Sequence, residues 1–353
     1  MQINLKLSSL AVALILSLSS CTKINIPENS ATGTQIKNAT DRLEAIANRG
    51  RLICGVNGQL PGFSSVDKNG RYSGLDVDLC RAIAAAIFND PDKVEFRNLD
   101  AQSRFTALKS GEVDLLSRNT TWTLSRDTDL GLEFAPTIFY DGQGILVNKT
   151  SNIENLEDLD GKSVCVLSET TNEQNLADRL RKVGLNYSPV AFDDVDRLYA
   201  AYEGRECEAI TSDRSQLTIR QAELTKPEEH QLLDLILSKE PLGALVAEGD
   251  SKWFDAVKWI TYAMIEAESL GIDSNNVDSF TRTENPQIRR FLGLEGNLGE
   301  DIGLPNNFTQ RVIKNVGNYG EVYQRNIGIP FKLDRGLNAL WSDGGLIYSP
   351  PFK

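Results

Sequence analysis

The residues best suited to holding a ligand cluster in one stretch, Val113 to Phe134 (VDLLSRNTTWTLSRDTDLGLEF). It opens on an apolar run, Val113-Asp114-Leu115-Leu116, which reads as a short buried strand. It then turns polar through Ser117, Arg118, Asn119, Thr120 and Thr121, followed by Trp122, Thr123 and a helix start at Ser125-Arg126-Asp127. A strand that ends in hydroxyls, an amide and arginines is built to hold something polar. In open α/β sheets, ligands sit outside the carboxyl ends of strands, where this run falls. The plainer alternative is a hydroxyl-rich loop with surface arginines.

Other chemistries find little support. The chain has one histidine, His230, in the polar run KPEEHQ. It reads as a solvated loop residue, and any histidine metal site, Ser-His pair or Cys-His pair would have to use it. Asp76 and Asp78 open a helical pattern and suit a helix cap or dipole; a metal site is the sharper alternative. The net charge of −12, with no basic patch, argues against nucleic acid as a partner. No cofactor motif stands out.

The 353 residues suffice for two lobes and a sizeable core, with globular proportions of 41% hydrophobic and 24% charged residues. Residues 1–20 read as a secretory signal: Lys6 supplies the early charge, and Leu10 to Leu18 is too short an apolar run to span a membrane. Leu18-Ser19-Ser20-Cys21 resembles the lipobox of bacterial lipoproteins, which implies cleavage before Cys21 and its acylation. An ordinary signal peptide beside a chance cysteine is the alternative. Residues 21–41 read as a flexible tether. Four further cysteines, Cys54, Cys80, Cys165 and Cys207, suit disulfides in an exported chain, and three connectivities are open.

The elements that must position the polar run read as β-α-β-α-β from Arg51 to Ser117, which indicates a parallel sheet. A helix over Arg42–Asn48 precedes it. The segments are a strand at Arg51–Val56, a helix through Val77 and Ile87, a strand at Val94–Phe96, a helix over Ala101–Lys109 and the strand before Ser117. Thr137–Tyr140 and Gly144–Val147 read as two strands. The pattern then restarts: a short helix and turn over Asn155–Lys162, a strand at Ser163–Leu167, the polar Ser168-Glu169-Thr170-Thr171-Asn172, and a helix through Leu176 and Val183. Phe192–Tyr202 reads as helical, and Cys207–Thr211 as a strand running into Ser212-Asp213. Leu232–Leu237 and Gly243–Val246 are expected strands, and Trp253–Leu270 a long amphipathic helix. The segments define a second α/β lobe with its own polar strand ends.

The segments GLDVDLCRAIAAAIF, RFTALKSGEVDLLSRNTTWTLSRD, DGQGILV, SVCVLSETTNEQNLAD, ECEAITSD and SKEPLGALV together resemble the extracytoplasmic solute-binding proteins of ABC transporters. The tail segments NVGNYGEVYQRNIG and RGLNALWSDGGLIYSPP resemble the general L-amino-acid-binding subgroup. The similarity covers nearly everything after Arg42. It implies an α/β, two-lobed type II periplasmic binding protein fold, each lobe a mixed sheet flanked by helices, with a two-strand hinge. Lobe 1 would comprise 42–144 and 243–353, and lobe 2 145–242. A monomer would close on its ligand and present it to the membrane permease subunits.

Matched position by position, the resemblance implies roles for individual residues. Arg126 would hold the ligand α-carboxylate bidentately near a helix start, with Asn119 and Thr121 bonding the same ligand. Thr170 and Thr171 would add donors from the second lobe, and Asp213 would pair with the α-ammonium. Both charges of a zwitterion need partners once water is excluded, so these two residues would draw the lobes together. Arg104, or else Arg118, would meet side-chain oxygens; either could equally be a surface charge. Trp122, Leu60 and Phe63 would wall the pocket, with core packing as the alternative for the last two. Leu60 replaces a stacking aromatic frequent in the family, which argues against one narrow side-chain class. Glu169 stands where many relatives have glycine. With two lobes, the preferred disulfides are Cys54–Cys80 and Cys165–Cys207, each within one lobe; four free thiols are the alternative.

Two other functions would use the same lobes. An enzyme, such as a dehydratase of a carboxylated ring, would have to draw its acid and base from Asp213, Glu169 and Asp141. A sensor or adhesin lipoprotein would have to signal through another protein.

Overall fold

The structure, a computed structural model, describes residues 41–353. The expected signal sequence, Cys21 and all of the expected tether but Asp41 lie outside the described residues. Asp41 belongs to the fold: its carboxylate caps the first helix at Glu44 N and pairs with Lys252 at 2.8 Å.

In chain order the strands are β1 (Leu52–Val56), β2 (Gln59–Leu60), β3 (Ser64–Val66), β4 (Tyr72–Ser73), β5 (Val94–Asn98), β6 (Leu115–Leu116), β7 (Leu132–Asn148), β8 (Ser163–Leu167), β9 (Ser188–Phe192), β10 (Ala209–Asp213), β11 (His230–Leu232) and β12 (Lys239–Ala247). The helices that bear on the site are α1 (Arg42–Arg49), α2 (Leu75–Phe88), α3 (Arg104–Ser110), α4 (Leu124–Thr128), α5 (Thr171–Val183), α6 (Val195–Glu203), α7 (Arg214–Gln221) and α8 (Ser251–Ser269).

The main sheet runs β5-β1-β6-β12-β7-β10-β8-β9, with β11 also on β7. Its two ends are parallel triplets, β5-β1-β6 and β10-β8-β9. Such strands are buried on both faces and carry apolar runs; Leu52, Cys54 and Val56 are all buried. Between the triplets lie two antiparallel strands, β7 and β12. The expected strands Thr137–Tyr140 and Gly144–Val147 are one strand of 17 residues. Its first part, to Gly142, pairs with β12, and its second part, from Gln143, pairs with β10 and β11. A partner for every stretch keeps the ladder continuous through Gly142. We call the two sides of this crossing the β1 half and the β8 half.

Other boundaries moved for local reasons. The helix expected from Phe192 starts at Val195, because Asp194 accepts from Arg197 N at 2.9 Å, and Phe192 ends β9 instead. The helix expected from Ala101 starts at Arg104, after Asp100 takes the amides of Gln102 and Ser103. The strand expected at Leu232–Leu237 falls at His230–Leu232, in register with Asn148–Leu146. That pairing buries His230, and Tyr202 Oη meets its Nδ1 at 2.7 Å. The solvated loop histidine is therefore a packed strand residue.

The long helix α8 lies as expected, burying Trp253, Val257, Ile260, Met264 and Ile265. Trp253 Nε1 donates to Asp114 O at 3.0 Å. The C-terminal segment buttresses the crossing: Asn338 bonds both the N–H and the C=O of Tyr140, and Tyr319 Oη donates to Ile138 O.

Cys54 is bonded to Cys80 and Cys165 to Cys207, with Cα separations of 6.3 and 5.6 Å. Each bridge ties a strand to an element of its own half. The second closes 42 residues, which in the chain-entropy treatment stabilises the fold by about 3–4 kcal/mol. Replacing Cys165 and Cys207 with alanine should lower stability by about that much, read as a lower urea midpoint.

Candidate ligand-binding site

Three strand ends converge where the two halves face each other. β6 leads into Ser117–Thr121, β8 into Ser168–Thr171, and β10 ends on Asp213. Asp213 is buried and accepts from Asn119 Nδ2 at 2.8 Å and Asn172 Nδ2 at 3.1 Å. Asn119 comes from the β1 half, so this contact crosses the cleft. Its backbone is left-handed (φ 48°), a conformation asparagine tolerates, and its N–H is held by Asp76 Oδ2 at 2.9 Å. Asp76 also accepts from Ser117 Oγ at 3.2 Å. It is therefore no helix cap; Gly74 occupies that position. Asp76 braces the polar turn, and burial holds its carboxyl at about 7 against the opposing bonds and the Arg118 charge.

Arg126 sits in α4, a single five-residue turn capped by Thr123. So short a helix has little dipole, and the guanidinium itself must supply the attraction. Its Nη1 donates to Thr121 O at 2.9 Å, and it lies 5.4 Å over the Phe105 ring. Arg104 stacks on the same ring at 4.5 Å and reaches across the cleft to Glu169 O at 3.4 Å, while its Nε makes no bond. Arg118 donates through Nε to Leu99 O at 2.7 Å.

These three arginines feel one another. Burial first, then the charges of Arg118 and Arg126, lower the Arg104 pKa well below its usual range. Burial brings Arg118 to about 10. Burial also lowers Arg126, opposed by Glu240 and then Asp213. On the other side, burial raises Asp213 to about 8, with Asp141 and Glu240 adding repulsion. The cleft thus sets a cationic wall against a carboxyl group.

Glu240 was not anticipated. It is buried at the head of β12 and accepts from Thr121 Oγ1 (2.5 Å), Thr171 Oγ1 (2.9 Å) and Asn175 Nδ2 (2.8 Å). It therefore pins the two threonines, one from each half. An acid beside a proline at the start of an apolar strand was the available signal. Thr170 differs from expectation: its hydroxyl is committed, donating to Leu167 O and accepting from Glu173 N as the α5 cap.

Between the halves lies an inner cavity of about 50 Å³, lined by Leu60, Arg118, Asn119, Thr170, Asp213 and Gln216 among others. It shares Asn57, Arg118, Leu167 and Val195 with an outer chamber of about 270 Å³. Larger cavities of about 420 Å³ lie beside His230 and behind the β7–β12 crossing. Neither contains a buried side-chain polar atom left without a bond, whereas the inner cavity has them on Asn119, Tyr199 and Gln216. Unpaired buried polar atoms are costly and mark the place a ligand would satisfy.

Two expected wall residues lie elsewhere. Phe63 is in the core, edge-on to Phe139 at 4.9 Å. Trp122 is 40% exposed and stacks on Phe134, outside the inner cavity. Both are drawn away by aromatic partners. Glu169 has φ 58°, the left-handed region that glycine favours. Glycine at 169 should be tolerated, whereas Glu169→Val should cost about 1–2 kcal/mol through its β-branch, read by thermal unfolding.

The geometry defines a ligand trap between two α/β halves, and the comparisons with known proteins agree. The chain belongs to family 3 of the bacterial extracellular solute-binding proteins, whose pattern it matches over residues 52–274. Its fold is the type II periplasmic binding protein fold, and it is a binding protein rather than an enzyme. It is 48% identical to the general L-amino acid-binding periplasmic protein AapJ of Rhizobium johnstonii, over 92% of this chain and 96% of that one. It is 46% identical to the glutamate/glutamine/aspartate/asparagine-binding protein BztA of Rhodobacter capsulatus, over 88% and 93%. Among solved structures, it is similar to an ABC transporter periplasmic binding protein from Brucella ovis with glutathione bound: TM-score 0.86, 47% identity, covering 89% of this chain and 99% of that chain.

Proposed function

We propose that the protein captures L-amino acids, acidic and amide ones among them, and delivers them to the permease of an ABC transporter. The observation that carries this reading is the charge pattern of the cleft: buried arginines on the β1 half, and Asp213 ending β10 on the other. A zwitterion complements both. Arg126, with the Thr121 N–H and the Asn119 amide, takes the α-carboxylate; Asp213 takes the α-ammonium; Thr170 and Thr171, whose hydroxyls are already bonded, close over it through their N–H groups at the start of α5. Arg104 and Arg118 face the side-chain oxygens of an acidic ligand. The lobes are 42–144 with 243–353, and 145–242, turning about β7 and β12. Bonds across the cleft, such as Asn119–Asp213 and Arg104–Glu169, support closure of one half on the other. The names of the relatives from Rhizobium and Rhodobacter support the ligand class.

The working form is a monomer, acylated at Cys21 and held at the cell envelope. Cys21→Ala should move the protein from the membrane fraction to the soluble fraction.

A thermal-shift screen of the twenty amino acids tests the ligand class. A ligand at a hundredfold excess over Kd stabilises by about 2.7 kcal/mol, a shift of several degrees. If no amino acid raises the melting temperature, the reading fails. The outer chamber, and the glutathione bound in the relative from Brucella ovis, favour a second reading in which a γ-linked peptide also enters. Glutathione belongs in the same screen.

A further inference from the structure

Asp213 lines the inner cavity, Arg126 does not, and a further residue stands out on its wall. Gln216 is 1% exposed, and neither its Oε1 nor its Nε2 makes a hydrogen bond within the protein. Both atoms belong to a side chain that lines the inner cavity. Its place in the fold makes this more telling. Asp213 is the N-cap of α7 and Gln216 the third helical residue, the D-x-x-Q spacing of a capping box. Neither side chain is used that way: the Asp213 carboxylate turns to Asn119 and Asn172, and Asp141 from β7 takes the Ser215 N–H at the start of α7. Two groups that could stabilise the helix end face the cleft instead. The same cavity is lined by Arg118, which only donates, and by Tyr199, whose hydroxyl adjoins Ser212.

We propose that Gln216 is the specificity-determining residue that lets one pocket accept both carboxylate and carboxamide side chains. This rests on the amino-acid reading above. A primary amide presents a donor and an acceptor on one planar group, and turning it over exchanges them. Facing a ligand carboxylate, Gln216 offers Nε2 alongside the Arg118 guanidinium. Facing a ligand carboxamide, it offers Oε1 to the ligand NH2 while Arg118 donates to the ligand oxygen. A wall of arginines alone would leave the NH2 of glutamine buried against positive charge. A wall of carboxylates would reject glutamate. An invertible amide beside a guanidinium satisfies both ligands.

The test is calorimetry of L-glutamate, L-glutamine and L-norvaline with wild type, Gln216→Glu and Gln216→Met. Gln216→Glu fixes an anion at the wall. It should weaken glutamate about 100-fold or more and leave glutamine within about tenfold, since like charges are held together in a desolvated site. Gln216→Met is apolar and similar in shape. It should weaken glutamine about tenfold and leave norvaline unchanged, the loss of one buried hydrogen-bonded partner. A glutamate-to-glutamine ratio that Gln216→Glu leaves within about threefold of wild type, well below a like-charge penalty, overturns the assignment. Should Gln216→Glu fail to fold, an unchanged glutamine-to-norvaline ratio in Gln216→Met overturns it equally. Failure of wild type to bind any of the three would instead remove the amino-acid reading itself, and this inference with it.

Discussion

Arg126→Ala is expected to weaken amino-acid binding by about 3–5 kcal/mol, hundreds- to thousands-fold in Kd, because it leaves a ligand carboxylate buried without its cation. The fold should tolerate the change. Arg126 makes one bond, to Thr121 O, and stacks on Phe105, and its removal relieves a desolvated charge beside Arg104. Melting temperature without ligand should therefore move little. Arg126→Lys keeps the charge but loses the planar fork, so it should fall between wild type and alanine. Calorimetry with glutamine and glutamate is the measurement. An unchanged Kd would transfer the carboxylate to Arg104 or Arg118.

Asp213→Asn should cost a similar amount, and it should also remove a proton from the reaction. Burial and the carboxylates of Asp141 and Glu240 raise Asp213 to about 8 in the closed cleft, so below that pH it carries a proton. The ligand ammonium pairs with the ionised form only. Binding to wild type below that pH therefore releases protons, and affinity falls as the pH is lowered. As the pH rises through 8 the carboxyl ionises and the release fades. Titrations in two buffers of different ionisation enthalpy should give different heats at pH 6.5, a much smaller difference at pH 8.5, and equal heats at both for Asp213→Asn. Proton uptake by wild type at pH 6.5 would refute the pairing.

The two residues proposed for the ligand's charges show what the sequence offered: their position marks them as polar groups near strand ends, and only the family resemblance assigns their roles. Arg126 and Asp213 lie in polar runs directly after apolar strands, and a parallel strand delivers its carboxyl end to the ligand side of the sheet whatever its neighbours are. Glu240 lies outside any such run, and Gln216, three residues past Asp213, is marked by its run only as polar. Glu240 acts by bonding Thr121, 119 positions away, and Thr171 from the other half. Gln216 becomes notable only because its amide is buried and unbonded, and burial is a property of the packed molecule. Phe63 takes the core-packing alternative and Trp122 stacks on Phe134, because an aromatic side chain packs against whatever ring the fold brings near. His230 read as solvated because its neighbours are charged, yet pairing with β7 buried it.

The order of residues alone determined the succession of strands and helices, the placing of polar groups at strand ends, and the surplus of acid that argues against nucleic acid. These follow from periodicity and side-chain chemistry, which act over a few neighbouring positions. The expected two lobes already favoured Cys54–Cys80 and Cys165–Cys207 among three pairings, and both bridges form; only the tertiary structure decided that β7 runs unbroken from one half to the other, and which polar atoms are buried without a partner. Those depend on contacts between residues far apart in the chain, and on the exclusion of water from the space they enclose.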